Sequence, residues 1–307
     1  MKIAVLYGGI SGEREVSLSS GKGIINALKA KGHEVIGIDF DPEHLEEIIQ
    51  LKVDLVFIGL HGKLGEDGRI QSLLEMLKIP YVGSGVLASA LAMDKAKAKQ
   101  IFDMNQIPVA KSETYTLLDK QGTDSIVTNI KETFQIPFVI KPNQEGSTLG
   151  LSIINDEKEI YDAVNKAFNS DNTILVEDFI KGKELTVPVM GSPGNEKALP
   201  IIEIIPKNSY YDYESKYAHG GSEHIVPAKI DEQLTKQIQA FAVRAHQALG
   251  CETYSRVDFI LSEKNVPVIL EVNTLPGMTP TSLFPDSAKA VGISYEDMVE
   301  QFVKLSI

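Results

Sequence analysis

Short apolar runs alternate with segments of helical spacing over the first ninety residues. Each run is almost wholly apolar, which is typical of strands buried on both faces of a sheet. Between the runs, apolar residues recur every three or four positions, as they do on one side of a helix. The predicted strands are 3–7, 35–40, 53–60 and 81–82, and the predicted helices are 17–31, 43–52 and 69–78. This alternation predicts a parallel sheet covered by helices.

After Pro108 the pattern changes to many strand-like runs with short connections, which favours antiparallel pairing. The predicted strands are 138–141, 151–154, 174–177, 185–190, 201–206, 253–261 and 266–273. Helices are predicted at 157–168 and 231–249, the latter ending at Gly250, with two further helical stretches at the C-terminus. The fold class is therefore α/β in the first part and α+β in the second.

Composition and charge exclude several classes of protein. A chain of 307 residues suggests two or three domains. The single cysteine, Cys251, rules out a disulfide framework and a cysteine-based zinc site. The net charge of −12 argues against nucleic acid as a partner. The longest apolar runs are too short to cross a bilayer, and the first residues lack a signal peptide, so no membrane contact and a cytoplasmic location are expected.

The glycine-rich segment after the first strand fails the known phosphate-binding patterns. Counting from Gly8, the dinucleotide fingerprint requires glycines where the chain has Ile10 and Glu13. A substrate-binding loop at the carboxyl end of a parallel strand is still compatible with the sequence. Glu13 and Glu15 are candidates for substrate contact, although acidic residues at a helix N-terminus also serve as caps.

His61 follows the third predicted strand and precedes a second glycine-rich loop, 62–68. Its position at a carboxyl strand end places it near the expected crevice of the parallel sheet. Two interpretations are open, a structural histidine or one that contacts a substrate.

Near the C-terminus, polar residues stand two apart on two apolar strands. A two-residue turn at Lys264-Asn265 would set Asp258 opposite Glu271 and Arg256 opposite Asn273, with all four side chains on one face. Two carboxylates and an amide oxygen suit a hard cation such as Mg²⁺. The alternative is a solvated polar face with an Arg–Asp ion pair.

Two further segments are weaker candidates for binding a nucleotide. Lys141 begins a loop of small residues, 141–150, whose backbone could wrap phosphate oxygens, although an ordinary β-hairpin explains it equally well. The segment 177–180 ends a strand and precedes Glu184. Its backbone edge could contact adenine, but an ordinary strand end is the simpler interpretation.

Together these residues resemble a known family, the D-alanine–D-alanine ligases, which are ATP-grasp carboxylate–amine ligases. The resemblance runs from Lys2 to the last helix. It is carried by the segments 11–19, 93–95, 141–147, 211–217 and 271–279. It implies an N-terminal α/β domain for substrate binding (1–94), a central ATP-grasp subdomain (95–182) and a C-terminal ATP-grasp domain with the metal and catalytic residues (183–307).

The resemblance also implies site residues. For ATP these are Lys95, Lys141, Glu145, Gly146, Ser147, Glu177, Phe179, Ile180, Glu184 and Lys216. For D-alanine they are Glu13, His61, Arg256, Gly277, Ser282 and Leu283. The implied ligands of Mg²⁺, or of Mn²⁺ in its place, are Asp258, Glu271 and Asn273, which the strand spacing indicates independently. Arg256 and the Gly277 backbone would stabilise the oxyanion, and Glu13, Ser147 and Tyr217 would form a hydrogen-bonded set.

The implied reaction joins two D-alanines through an acyl phosphate, releases ADP and phosphate, and serves peptidoglycan synthesis. A homodimer is the assembly that the resemblance raises, although the composition indicates no interface. Two rival functions are a ligase that makes a D-alanyl–D-lactate ester and a non-catalytic nucleotide-binding regulator. Tyr217 argues against the first and the set around Arg256 argues against the second.

Overall fold

The computed structural model describes residues 1–117, 122–146, 149–206 and 222–307. Its first part is built on a parallel sheet in the strand order β2-β1-β3-β4. The strands are β1 (Lys2–Gly8), β2 (Glu34–Phe40), β3 (Leu55–Ile58) and β4 (Tyr81–Val82). The parallel sheet predicted from the apolar runs is confirmed.

Helices connect these strands and carry the chain into the second part. They are α1 (Arg14–Ala30), α2 (Glu46–Ile49), α3 (Arg69–Met76) and α4 (Val86–Met93). At the end of β1, Gly8 has φ +81°, and a Cβ there would lie 2.0 Å from the Asp39 carboxylate. Only glycine therefore allows the loop that precedes α1 to begin at this point.

A second sheet, antiparallel, has the order β5-β8-β6-β7. Its strands are β5 (Ser112–Thr116), β6 (Phe138–Pro142), β7 (Ser152–Ile154) and β8 (Thr173–Asp178). The helices that pack on it are α6 (Thr123–Thr133) and α7 (Ile160–Phe168), the last preceded by a 3₁₀ turn at Glu157–Glu159. Apolar side chains of α6 and α7 form one core with this sheet. Helix α5 (Lys95–Met104) precedes this sheet in the chain, but its Ala98 and Phe102 belong to the core under the third sheet.

The third sheet, also antiparallel, runs β12-β11-β9-β13-β14, with β10 paired to β9. Its strands are β9 (Gly182–Gly191), β10 (Lys197–Ala198), β11 (Ile202–Pro206), β12 (Ser222–Ile225), β13 (Thr253–Ser262) and β14 (Pro267–Asn273). The helices are α8 (Glu232–Leu249), α9 (Leu283–Ala290) and α10 (Tyr295–Leu305).

Two cores join parts that are distant in the sequence. The C-terminal helices α9 and α10 share one core with the parallel sheet, in which Tyr254 stacks on Phe302 with ring centroids 4.2 Å apart. Helix α4 instead contributes Ala88 and Ala92 to the core under the third sheet. The domain boundaries at 94 and 182 stay predictions. In the described ranges, no helix is both long enough and apolar enough to cross a bilayer.

Local capping explains where the predicted elements succeed and fail. The helix predicted at 231–249 is confirmed as α8, because the Asp231 side chain caps its first turn and Gly250 ends it with φ +72°. The helix predicted at 43–52 is wrong over most of its length. The Asp41 carboxylate accepts the Glu43 N–H and its carbonyl accepts the His44 N–H, so a turn occupies residues where a helix was expected.

Candidate active site

Glu177 lies between two lysines in a buried cluster on the second sheet. Its carboxylate accepts from Lys99 Nζ at 2.5 Å and also from Lys141 Nζ. The carboxylate side chain is only 5% exposed. Burial alone would raise the pKa of Glu177, but the two lysines outweigh it and lower this pKa to about 2. The cluster fixes Lys141 at the edge of a cleft, and Lys99, which the sequence interpretation missed, completes it.

The N-terminus of α5 is joined to the segment that follows β6. Asp94 caps the helix by accepting from Lys97 N–H, and its carboxylate also accepts from the Asn143 side chain at 2.8 Å. Lys95 donates through Nζ to the Glu145 carbonyl at 2.8 Å and lies 3.3 Å from the Glu271 carboxylate. The ammonium group of Lys95 therefore lies where the two antiparallel sheets approach one another.

The β13–β14 hairpin brings the predicted polar residues together. Arg256 pairs with Asn273 and Asp258 pairs with Glu271, so the predicted register at these positions is confirmed. Arg256 holds both oxygens of Asp258, with Nε–Oδ1 at 3.0 Å and an Nη–Oδ2 distance of 2.8 Å. Asn273 donates to the same carboxylate at 3.0 Å. The Arg–Asp pair of the alternative interpretation is present, but with side chains only 15% and 18% exposed it is no solvated surface pair.

The turn of this hairpin differs from the prediction. Ser262 N–H donates to the Val266 carbonyl, so three residues (263–265) form the loop instead of two, with Asn265 at φ +59°. The register then shifts between Asp258 and Phe259, where β14 contains one extra residue, Leu270. This bulge restores the predicted pairing and lets Leu270 and Glu271, although consecutive, both line the same cleft.

The donors on this face fit a hard divalent cation. Asp258 and Glu271 offer carboxylate oxygens opposite each other, and Asn273 offers an amide. Across the described ranges, no group of three or more His, Cys, Asp or Glu side chains is arranged to hold a metal. An ion bound here would need ligand oxygens to complete its shell, and this is how Mg²⁺ is usually held beside phosphates.

A second cavity lies between the parallel sheet and the C-terminal segment. Glu13 occupies the N-cap position of α1, but its side chain makes no capping hydrogen bond and instead lines this cavity. Glu15 lies in the first helical turn. Ser282 occupies the N-cap position of α9 without a capping side-chain bond, and Leu283 begins the helix. Both line the cavity with Glu13.

His61 is buried, and both of its ring nitrogens are engaged. Nδ1 lies 2.9 Å from the Leu275 carbonyl and Nε2 lies 3.0 Å from the Ser20 hydroxyl. Burial lowers the pKa of His61, so the ring is neutral near pH 7. The two ring hydrogen bonds support the structural interpretation. The ring also lines the cavity, so its contact with a substrate stays a prediction.

Glu66 is a cavity residue to which the sequence interpretation gave no role. Its carboxylate accepts from Gly62 N–H at 2.7 Å and from Leu275 N–H at 3.3 Å. Enclosure in the protein, with the negative charge of Glu13 as a second cause, raises the pKa of Glu66 to about 8. The only feature of the sequence that could have indicated a role for Glu66 was the glycine-rich loop in which it lies.

The cleft and the cavity meet. The residues that line both are Gly146, Arg256 and Glu271. The other sequence-predicted residues in the cleft are Lys95, Lys141, Glu145, Glu177, Phe179, Ile180, Glu184 and Asp258. The others in the cavity are Glu13, His61, Asn273, Gly277, Ser282 and Leu283. Ser147, Lys216 and Tyr217 lie outside the described residues. The arrangement can hold an elongated, charged ligand in the cleft against a small one in the cavity.

Comparison with known proteins gives consistent results. Residues 101–304 match the family described as D-ala D-ala ligase C-terminus, and residues 44–84 match D-ala D-ala ligase N-terminus. A D-alanine–D-alanine ligase from Halalkalibacterium halodurans is 61% identical, with 100% of this chain and 99% of the relative covered. One from Carboxydothermus hydrogenoformans is 46% identical, with 100% and 98% covered.

Two solved ligase structures are similar to this chain over its whole length. The D-alanine–D-alanine ligase from Bacillus anthracis complexed with ATP has a TM-score of 0.85 at 32% identity, with 100% of this chain and 97% of that chain covered. The VanG D-Ala:D-Ser ligase from Enterococcus faecalis has a TM-score of 0.86 at 31% identity, with 100% and 99% covered.

Proposed function

This chain belongs to the D-alanine–D-alanine ligase family, and from that premise we propose how its two adjoining cavities divide the work of the reaction. The enzyme is an ATP-dependent ligase that forms D-alanyl-D-alanine for cell-wall synthesis. The observation that carries the proposed division is that Arg256, Glu271 and Gly146 line both cavities. ATP in the cleft would thus present its terminal phosphate to a substrate in the cavity. The non-catalytic alternative is set aside, because this is an enzyme family.

In the cleft, positive side chains would hold the phosphates. Lys141, fixed by Glu177, and Lys95, at the N-terminus of α5, carry the charge that a triphosphate needs. Phe179, Ile180 and Glu184 would contact the adenosine part at the far end of the cleft. Lys216 and Ser147 complete the proposed phosphate contacts.

Asp258, Glu271 and Asn273 would hold Mg²⁺, or Mn²⁺ in its place. Bound there, the ion would neutralise negative charge on the phosphates. The register of the β13–β14 hairpin places the Asp258 and Glu271 carboxylates opposite one another, so that both could bind one ion.

In the cavity, Glu13 would bind the ammonium group of the first D-alanine, close to His61. Ser282 and Leu283, at the start of α9, would bind the carboxylate of the second. Glu13, Ser147 and Tyr217 would form the hydrogen-bonded set that closes over the reacting groups.

A homodimer is the assembly we propose for the enzyme in solution.

The reaction would proceed in two steps. A carboxylate oxygen of the first D-alanine attacks the γ-phosphorus, and the bond to ADP breaks to leave an acyl phosphate. The ammonium group of the second D-alanine loses one proton to solvent, and the resulting amine attacks the acyl carbon. The bond between this carbon and the phosphate oxygen then breaks, and inorganic phosphate leaves with the second proton of the amine. Arg256 and the Gly277 N–H would stabilise the oxyanion between attack and departure. Exclusion of water protects the acyl phosphate from hydrolysis.

Product identification tests this proposal. We expect D-alanyl-D-alanine, ADP and phosphate after incubation with ATP, Mg²⁺ and D-alanine, and no ADP when D-alanine is omitted. Pyrophosphate and AMP among the products would contradict the acyl-phosphate route. Parallel reactions with D-serine or D-lactate as the second substrate would show how strictly the cavity selects D-alanine.

A further inference from the structure

The segment Leu275–Met278 forms part of the cavity wall. Side chains from other elements make hydrogen bonds to the backbone of its first and last residues. At Leu275, the N–H donates to Glu66 at 3.3 Å and the carbonyl accepts from His61 at 2.9 Å. At Met278, the N–H donates to Ser20 Oγ at 3.1 Å and the carbonyl accepts from the Tyr295 hydroxyl at 2.6 Å. All four backbone polar groups of these two residues are therefore fixed.

Between these fixed ends lie Pro276 and Gly277. Proline has no N–H, so Gly277 carries the one backbone donor between Leu275 and Met278. Among the described residues none accepts from this N–H, and Gly277 lines the cavity. The surrounding hydrogen bonds thus leave this donor available for a ligand.

Two of the holding side chains bond to each other and close a ring. The Leu275 carbonyl can only accept, so the proton of the neutral ring resides on Nδ1, which donates to this carbonyl. Nε2 is then an acceptor, so the Ser20 hydroxyl donates to it while its oxygen accepts from Met278 N–H. The hydrogen bonds run from Met278 through Ser20 and His61 and return to the same segment at Leu275.

We propose that Ser20 and His61 are positioning residues that fix the segment Leu275–Met278, so that the Gly277 N–H is aligned with the oxyanion of the second step. The inference rests on the proposed function. Ser20 is the more informative of the two, because it is fully buried in α1 and does not line the cavity. Any effect of Ser20 on catalysis must therefore pass through the residues that it holds. Helix α1, far away in the sequence, would set the geometry of a donor near the C-terminus.

The test compares Ser20→Ala with a matched control, Ser17→Ala. Ser17 is equally buried in the same helix and also has two hydrogen bonds, from Gly8 N–H and to the Gly59 carbonyl. We expect kcat of Ser20→Ala to fall about tenfold, since small misplacements of reacting groups are costly. The KM for ATP should not change. Ser17→Ala should lose comparable thermal stability but keep its kcat. Ser20→Thr, which retains the hydroxyl, should recover most of the turnover.

A second readout separates the two steps. Scrambling of ¹⁸O between the bridging and non-bridging positions of labelled ATP, with D-alanine present, reports acyl-phosphate formation alone. In Ser20→Ala this exchange should persist while dipeptide formation falls. An equal loss of both, or a kcat equal to that of Ser17→Ala, would overturn the positioning role.

If Ser20→Ala cannot be recovered folded, Ser20→Cys takes its place. The thiol has nearly the size of the hydroxyl but is a much weaker hydrogen-bonding group, and the same two outcomes support or overturn the positioning role. A wild-type enzyme that makes no dipeptide would refute the proposed function itself, a result distinct from any of these.

Discussion

The cleft that we propose for ATP and the cavity that we propose for D-alanine share Gly146, Arg256 and Glu271 but are stabilised by different interactions. In the cleft, charged side chains hold one another, as Glu177 does between Lys99 and Lys141. In the cavity, largely neutral side chains hold backbone groups, as Ser20 does for Met278. The difference matches the proposed ligands. ATP is charged before it binds, so a site for it needs positive side chains that are held in place. The proposed oxyanion exists only during the reaction, so a site for it needs a dipole that is fixed in advance.

Arg256 belongs to both regions, and its removal should have the largest effect. We predict that Arg256→Ala lowers turnover by about a hundred- to a thousandfold, roughly 3–4 kcal/mol, as for loss of an oxyanion donor. The KM for ATP should change little. Steady-state kinetics would measure both, with Arg244→Ala on α8, which lines neither cavity, as a control. Near-normal turnover with weakened ATP binding would assign Arg256 to the cleft alone.

Removing the charge of Glu177 tests whether its buried pairing with Lys99 and Lys141 stabilises the cleft. The pKa of Glu177, about 2, lies below its ordinary 4.5, so ionised Glu177 stabilises the folded protein above pH 4.5, and this stabilisation is lost as the pH falls towards 2. A shift of this size corresponds to about 3 kcal/mol. Glu177→Gln should therefore lower the free energy of unfolding by about 3 kcal/mol at pH 7, and by less at pH 3.

The same variant should raise the KM for ATP, because Lys141 loses the group that fixes it. The matched control is Glu157→Gln, which breaks an exposed pair with Lys131 and should change stability by less than about 1 kcal/mol. Equal effects of the two substitutions would show that the buried cluster contributes no more than a surface ion pair.

Glu66 tests the cavity through its pH dependence. The pKa of Glu66 is raised to about 8, so its contribution to stability is full below pH 4.5 and is lost as the pH rises towards 8. Relative to Glu66→Gln, the wild-type free energy of unfolding should fall over this range, by at most about 1.4 kcal/mol per pH unit. Denaturant titrations from pH 5 to 8 would measure it. Parallel curves for the two proteins would mean that Glu66 is ionised throughout.

The smallest effect is expected at Tyr217. Tyr217→Phe removes one hydroxyl, worth about 0.5–1.5 kcal/mol. If that hydroxyl closes the set with Ser147 and Glu13, the ratio of D-lactate to D-alanine incorporated should rise roughly threefold or more. Competition between the two substrates, at two pH values, would measure the ratio. An unchanged ratio at both would remove Tyr217 from the selection of the second substrate.

The sequence predicted contacts between residues that are close along the chain, but not contacts between residues that are far apart in it. The pairing of Asp258 with Glu271 was predicted from strand spacing, because a hairpin joins neighbours in sequence, although the assumed two-residue turn was wrong and the bulge at Leu270 compensates for it. Lys99 and its partner Glu177 are 78 residues apart, and Ser20 and Met278 are 258 apart. No periodicity connects such residues, and their meeting is fixed only by the packing of helices on sheets. The family resemblance indicated ligand contacts, but not the side chains that hold them.

The bulge at Leu270 also determines where this hairpin can change length during evolution. Residues gained or lost at the tip, 263–265, leave the pairing of Asp258 with Glu271 intact as long as Ser262 and Val266 still pair. A deletion a few residues later, at Leu270, would remove one cleft-lining side chain and straighten the strand that presents Glu271. Among relatives, gaps should therefore collect at the tip and be absent from the bulge. An alignment that places its gap at the bulge would assign Glu271, the carboxylate that we propose as a metal ligand, to the wrong column.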